Sequence, residues 1–261
     1  MTSLRGGPRR RPAFLSTSII VVTALLLIGC SSASITPAVR DTVAIALVDS
    51  GLNDENVDFS CFHVFDTDAD DQGHGTLVAS IAAGIDEDSC PAWAHRVTWI
   101  SYSVFTAGTA SAEDVADAIE QAIRDQVDVI NVSIAIGTDT RALRDSVKRA
   151  VESGIVVVAA AGNNQGMGAG YPARYPGVIS VGSLDAAGHP SSFSAIDHVN
   201  YFAPGEDIPA VDRTGARQLV TGTSAAAAMT SNQILKSLLG VAKPDSTLSA
   251  LIAHQSKEDN Q

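Results

Sequence analysis

The sequence predicts an α/β fold with a mostly parallel central sheet and helices on both faces. Apolar runs are nearly continuous at 43–48, 97–105, 127–134, 155–160 and 178–181, the pattern of strands covered on both sides. Helical periods stand between them, and strand–helix alternation builds parallel sheets. The chain has 261 residues, enough for one such domain with a sizeable core.

The first 29 residues read as an export signal outside the fold. Arg5, Arg9, Arg10 and Arg11 form a basic start, and residues 19–28 are apolar. That run is too short, and too interrupted by Ser16, Thr17, Ser18 and Thr23, to span a bilayer. Leu27-Ile28-Gly29-Cys30 resembles the lipobox of bacterial lipoproteins, which implies cleavage after Gly29 and lipidation of Cys30. The expected organisation is a cleaved signal over 1–29, a lipidated tether over 30–41 and one folded domain over 42–261. The protein is then expected to be exported and lipid-anchored, at a bacterial outer membrane or cell surface or on the periplasmic face.

Processing removes four arginines and no acids, leaving 29 acidic against 13 basic residues, a net charge of −16. That charge excludes nucleic acid as a partner and disfavours anionic headgroups, so the membrane link is the lipid itself. Nothing in the sequence marks an oligomer. Cys61 and Cys90 remain. In an exported chain the even pair reads as a disulfide, closing a loop of about 30 residues and stabilising by roughly 3–4 kcal/mol.

The first apolar run ends at Asp49, at the carboxyl end of a strand, where ligands sit in parallel sheets. Ser111-Ala112-Glu113-Asp114 starts a helix with a capping-box pattern, and Val115, Ile119, Ala122 and Ile123 give it one apolar face. A second helix runs from about Arg141 to Ser153 and stops at Gly154, with Leu143, Val147, Ala150 and Val151 inward.

Chemistry concentrates in three glycine-flanked stretches, Val48-Asp49-Ser50-Gly51, Gly73-His74-Gly75-Thr76 and Gly222-Thr223-Ser224. A serine hydroxyl is a poor nucleophile until a base takes its proton, and the base needs an acceptor to orient it. Ser224, His74 and Asp49 are such a set. Singly they read equally well as a helix N-cap, a loop histidine and a strand-ending carboxylate. Together, in the order Asp, His, Ser, they match one of the known triad orders.

These stretches resemble the subtilase family of serine proteases. Asp71 to Ala79 resembles its histidine motif, Val129-Ile130-Asn131-Val132-Ser133 the strand before its substrate edge, and Val156 to Asn163 its oxyanion strand. The segment from Tyr171-Pro172 to Gly182 and the Thr221 to Ser224 stretch follow in family order. The resemblance covers roughly residues 42–240. It implies a three-layer subtilisin-like fold and a serine endopeptidase acting on peptides or proteins. It also implies roles: Ser224 as nucleophile, His74 as base, Asp49 as orienting acid and Asn163 as oxyanion donor. Ser133, Ile134 and Ala135 would form one substrate edge and Gly108 part of the other. A cis bond is expected before Pro172.

Three departures stand out. Ala228 replaces the family's proline after the nucleophile, Ile134-Ala135-Ile136 replaces Leu-Gly-Gly at the substrate edge, and residues 31–41 leave no room for the folding propeptide. They are the ground for an alternative, a catalytically impaired subtilase that binds peptides; against it, all four catalytic side chains are present, and Ala228 deletes no catalytic group. No cofactor is required. The family's calcium loop is not recognisable, no metal ligands are assigned, and calcium stays open through the acids Asp66, Asp68, Asp70, Asp71, Asp86, Glu87 and Asp88.

Overall fold

The computed structural model describes residues 39–53, 55, 57, 63–67, 69–85 and 91–255. The strands are β1 (Val43–Asp49), β2 (His63–Thr67), β3 (Val97–Ser103), β4 (Phe105–Thr106), β5 (Thr109–Ala110), β6 (Val129–Val132), β7 (Val156–Ala160), β8 (Ile179–Leu184), β9 (Tyr201–Pro204), β10 (Ile208–Val211) and β11 (Arg217–Val220). The helices are α1 (His74–Ala83), α2 (Ala112–Arg124), α3 (Arg141–Glu152), α4 (Thr223–Leu238) and α5 (Ser246–Gln255).

The main sheet is seven-stranded, in the order β2-β3-β1-β6-β7-β8-β9, and its pairs are parallel. Alternation along β1 divides the core. Ile45 and Leu47 point into the layer holding α1, α4 and α5, while Ala46 and Val48 point into the layer holding α2 and α3. The expected sheet with helices on both faces is therefore the one observed. The expected strands shorten where the backbone turns to other work. β3 stops at Ser103, its last rung to β1 being the Val104 N–H on the Asp49 carbonyl (2.9 Å), and Val127 is tied back to the end of α2 through the Ala122 carbonyl (3.3 Å).

Strand order reverses beside β1. From β1 the chain goes out to the edge strand β2, returns to β3 beside β1, then crosses to β6 and continues the other way. The crevice at the carboxyl ends of β1 and β6 is thus the topological switch point, where ligands bind in open parallel sheets. Helix α4 lies behind it. Ala225, Ala226, Ala227 and Ala228 are all fully buried, and their small side chains let the helix approach the sheet closely.

Helix α2 starts as expected, with Ser111 and Asp114 forming a reciprocal capping box. The exposed cap and the buried face differ in weight. Ser111→Ala is expected to cost about 1 kcal/mol, and truncation of the fully buried Ile119 to alanine about 2–5 kcal/mol; urea unfolding of the two variants beside the parent checks the ranking.

Candidate active site

The structure brings Asp49 and His74 together. Asp49 is the last residue of β1 and fully buried. His74 is the first residue of α1, entered through Gly73 with φ of +85°. Its Nδ1 lies 2.7 Å from Asp49 Oδ1, which also accepts the Ser50 N–H at 2.7 Å. Asp49 Oδ2 is buried and has no hydrogen-bond partner among the described residues. A carboxylate so placed favours a proton on the facing nitrogen and leaves Nε2 free to accept one. Burial lowers the affinity of His74 for its proton. The hydrogen bond and charge of Asp49, then the charge of Asp70, outweigh that and raise the pKa above the ordinary 6.5.

Asp70 is a residue that sequence reasoning left in an acidic run. It is 3% exposed. Oδ1 accepts Ser50 Oγ and the Gly73 N–H, each at 2.7 Å. Oδ2 accepts the Thr76 N–H at 2.8 Å and Thr76 Oγ1 at 2.6 Å. Ser50 Oγ in turn accepts the Gly75 N–H at 2.9 Å. One carboxylate thus ties the turn after Asp49 to the helix start that carries His74. The Arg213 guanidinium closes this loop from outside, donating to the carbonyls of Asp70 (3.2 Å) and Asp71 (2.8 Å). The two turns touch so closely that a Cβ on Gly75 would run into the Gly51 carbonyl oxygen.

Ser224 is the second residue of α4, after Gly222. In the first turn of a helix the N–H groups have no intrahelical acceptor, so the Ser224 N–H is available to an incoming anion. Its hydroxyl donates to the Ser133 carbonyl at 3.2 Å, and no bond to His74 is formed. Asn163 stands at the end of the β7 segment. Its Oδ1 accepts both the Thr223 N–H (3.0 Å) and Thr223 Oγ1 (2.9 Å). With the carbonyl end held this way, the amide end is left as a donor toward the space beside Ser224. Thr223 is the second residue that sequence reasoning passed over, although it stands within the Gly-Thr-Ser motif.

Ser133, Ile134 and Ala135 follow β6 directly. Ile136 is bonded both ways to Tyr171 at 2.7 Å, and the Tyr171–Pro172 bond is cis. Gly108 sits at the tip of the β4–β5 hairpin with φ of +81° and nothing near its Cα face. The hairpin follows the end of β3, where Val104 is bonded to Asp49. Cys30, Cys61 and Cys90 lie outside the described residues, as do Asp68, Asp86, Glu87 and Asp88. Among the described residues no group of His, Cys, Asp or Glu gathers as a metal site.

The model of the subtilase family matches residues 40–259. The chain belongs to the subtilase family. With it, the protein falls in the serine endopeptidase class of hydrolases. It is 34% identical to a subtilisin of Bacillus pumilus over 199 residues, covering 70% of this chain and 72% of that protein. It is 32% identical to subtilisin NAT of Bacillus subtilis subsp. natto over 204 residues. There it covers 70% of this chain but spans only 52% of the relative's length. Among solved structures it resembles the patellamide maturation protease PatA, with a TM-score of 0.68 and 25% identity over 83% of this chain and 86% of that one. This subtilase keeps α4 unbroken through Ala228; alanine has the N–H that proline would lack and adds no clash with the preceding turn.

Because the His74 proton is held by Asp49 and Asp70, a raised pKa stabilises the fold below 6.5, and that contribution is lost as pH rises through the folded value. NMR titration of His74 in the Ser224→Ala protein is expected to give a midpoint above 6.5, and Asp70→Asn a lower one. Asp70→Asn also turns an NH2 donor toward one of the two donor pairs, Ser50 with Gly73 or the two of Thr76, at an expected cost of about 2–3 kcal/mol in chemical unfolding.

Proposed function

We propose that the protein is a subtilisin-type serine endopeptidase using Asp49, His74 and Ser224, with Asn163 as an oxyanion donor. The observation that carries this reading is the buried Asp49 carboxylate on His74 Nδ1 at 2.7 Å, in the crevice where Ser224 also ends. Ser224 Oγ attacks the peptide carbonyl carbon while its proton passes to His74 Nε2. The tetrahedral oxyanion takes the Asn163 amide and the Ser224 N–H. The C–N bond then breaks, and the His74 proton leaves on the new amine. Water next attacks the acyl-enzyme, giving one proton to His74; the C–Oγ bond breaks and Ser224 recovers that proton. No metal or cofactor is needed in this scheme.

The substrate is an extended peptide, laid along Ser133, Ile134 and Ala135 on one side and the hairpin of Gly108 on the other. The protein is exported and lipid-anchored through Cys30, with 30–41 as tether and Cys61–Cys90 as a disulfide. Its role is to process particular exported peptides rather than to degrade protein in bulk. The likeness to a maturation protease and the side chains added at Ile134-Ala135-Ile136 support this.

A second reading, a peptide-binding subtilase that does not cleave, draws on the Ser224 hydroxyl resting on Ser133 rather than on His74. Fluorophosphonate labelling separates the two. Labelling that maps to Ser224 and vanishes in Ser224→Ala is the expected result; a folded protein that takes no label sinks the peptidase. Given labelling, Asn163→Ala is expected to lower kcat about 10²–10³-fold, a magnitude taken over from the equivalent subtilisin donor.

A further inference from the structure

Beside the nucleophile runs a narrow slot. One wall is the segment Ile134-Ala135-Ile136, which leaves β6 just after the carbonyl that holds Ser224 Oγ. The other is Ala161-Gly162, which leads into Asn163. Gly170 and Tyr171 join the two walls as a floor: the Gly170 N–H donates to Ala161 (2.9 Å), and Tyr171 is bonded to Ile136 in both directions. When an acyl carbonyl carbon sits on Ser224 with its oxygen toward Asn163, the side chain of that same residue is directed into this slot. The slot therefore reads the residue on the acyl side of the scissile bond.

Two of its surfaces carry no side chain. Gly162 and Gly170 leave the slot as open as a backbone allows, and the third facing position is Ala135. Its methyl reaches both. A Cβ built on Gly162 would stand 3.1 Å from the Ala135 Cβ, and one built on Gly170 3.0 Å from it. Both distances are below ordinary van der Waals contact, so nothing larger than hydrogen fits between the methyl and either glycine. Ala135 is at the same time an exposed residue, at the surface of the cleft rather than in the packed core. Its methyl, set against both glycines, occupies space that a substrate side chain would need.

We propose that the Ala135 methyl closes the floor of this slot and restricts the acyl-side residue to glycine, alanine or serine. This deepens the peptidase reading and rests on it. The restriction fits a processing enzyme, because most leucine, phenylalanine and tyrosine sites in an unfolded chain would be passed over.

The test uses the mature protein and its Ala135→Gly variant, with one peptide series differing only at the acyl-side residue. In the parent, kcat/KM for phenylalanine or leucine is expected to fall roughly a hundredfold below that for alanine. In Ala135→Gly the large-to-small ratio is expected to rise at least about tenfold. Comparable rates for alanine and phenylalanine in the parent, or an unchanged ratio in the variant, overturn the assignment. Should the variant fail to fold, labelling of the parent by peptidyl phosphonates decides. Alanine-bearing reagent must react much faster than its phenylalanine counterpart, and equal rates overturn the proposal. Failure of the peptidase reading looks different: no fluorophosphonate labelling and no turnover of any peptide by either protein, which removes both.

Discussion

The pairing of Asp49 with His74 depends on a second buried carboxylate, that of Asp70. Asp70 accepts from Ser50, Gly73 and Thr76, and those donors belong to two turns separated in sequence but pressed together in space. A neutral acceptor could not satisfy the same donors, since each oxygen takes two. The negative charge also acts at a distance, holding the His74 proton alongside Asp49. Geometry and electrostatics of the Asp49–His74 pair thus share a source, and the absence of a side chain on Gly75 is what lets the two turns close.

The sheet makes that arrangement reachable. A parallel sheet puts all its carboxyl ends on one side, and the reversal of strand order beside β1 opens a crevice there. Asp49 ends β1, Ser133 follows β6, and Asn163 follows β7, so adjacent strands deliver three parts of the site at nearly the same height. The nucleophile arrives from behind, on α4, whose alanines bring its first turn against those strand ends. Thr223 locks helix to strand by donating twice to Asn163 and accepting the Gly162 N–H at 3.1 Å.

Legibility in the sequence followed burial. β1, β3, β6, β7 and β8 are covered on both faces, so their apolar runs announced them. β9 escaped notice because an edge strand of four residues, ending in Pro204, has no such run. β2, the opposite edge, carries His63 and Asp66 and was passed over for the same reason. Asp49, His74 and Ser224 stood out in the sequence because each sits in a glycine-flanked motif that is local, and the structure pairs the first two. Asp70 did not: its meaning depends on Ser50, twenty residues away, and within 66–71 it is one aspartate among several. Thr223 was hidden likewise, since its partner Asn163 lies sixty residues upstream.

The same polarity that collects the site at one end of the sheet assigns the other end to the chain entrance. Arg96 donates to the carbonyls of Arg40 and Asp41, each at 2.6 Å, and to that of Leu239 at 3.1 Å. Arg40 is bonded through its N–H to Leu238 and pairs with Asp128. These contacts fasten the segment ahead of β1 to the end of α4, before the first strand begins. β1 then carries the chain seven residues to Asp49, roughly 20 Å at the usual rise of an extended strand. The chain that enters the domain at Arg40 is thus held on Arg96 and the end of α4, at the end of the sheet opposite Asp49. If the chain is attached through Cys30 as proposed, the attachment enters at this end and leaves the Asp49 end of the sheet to the peptide.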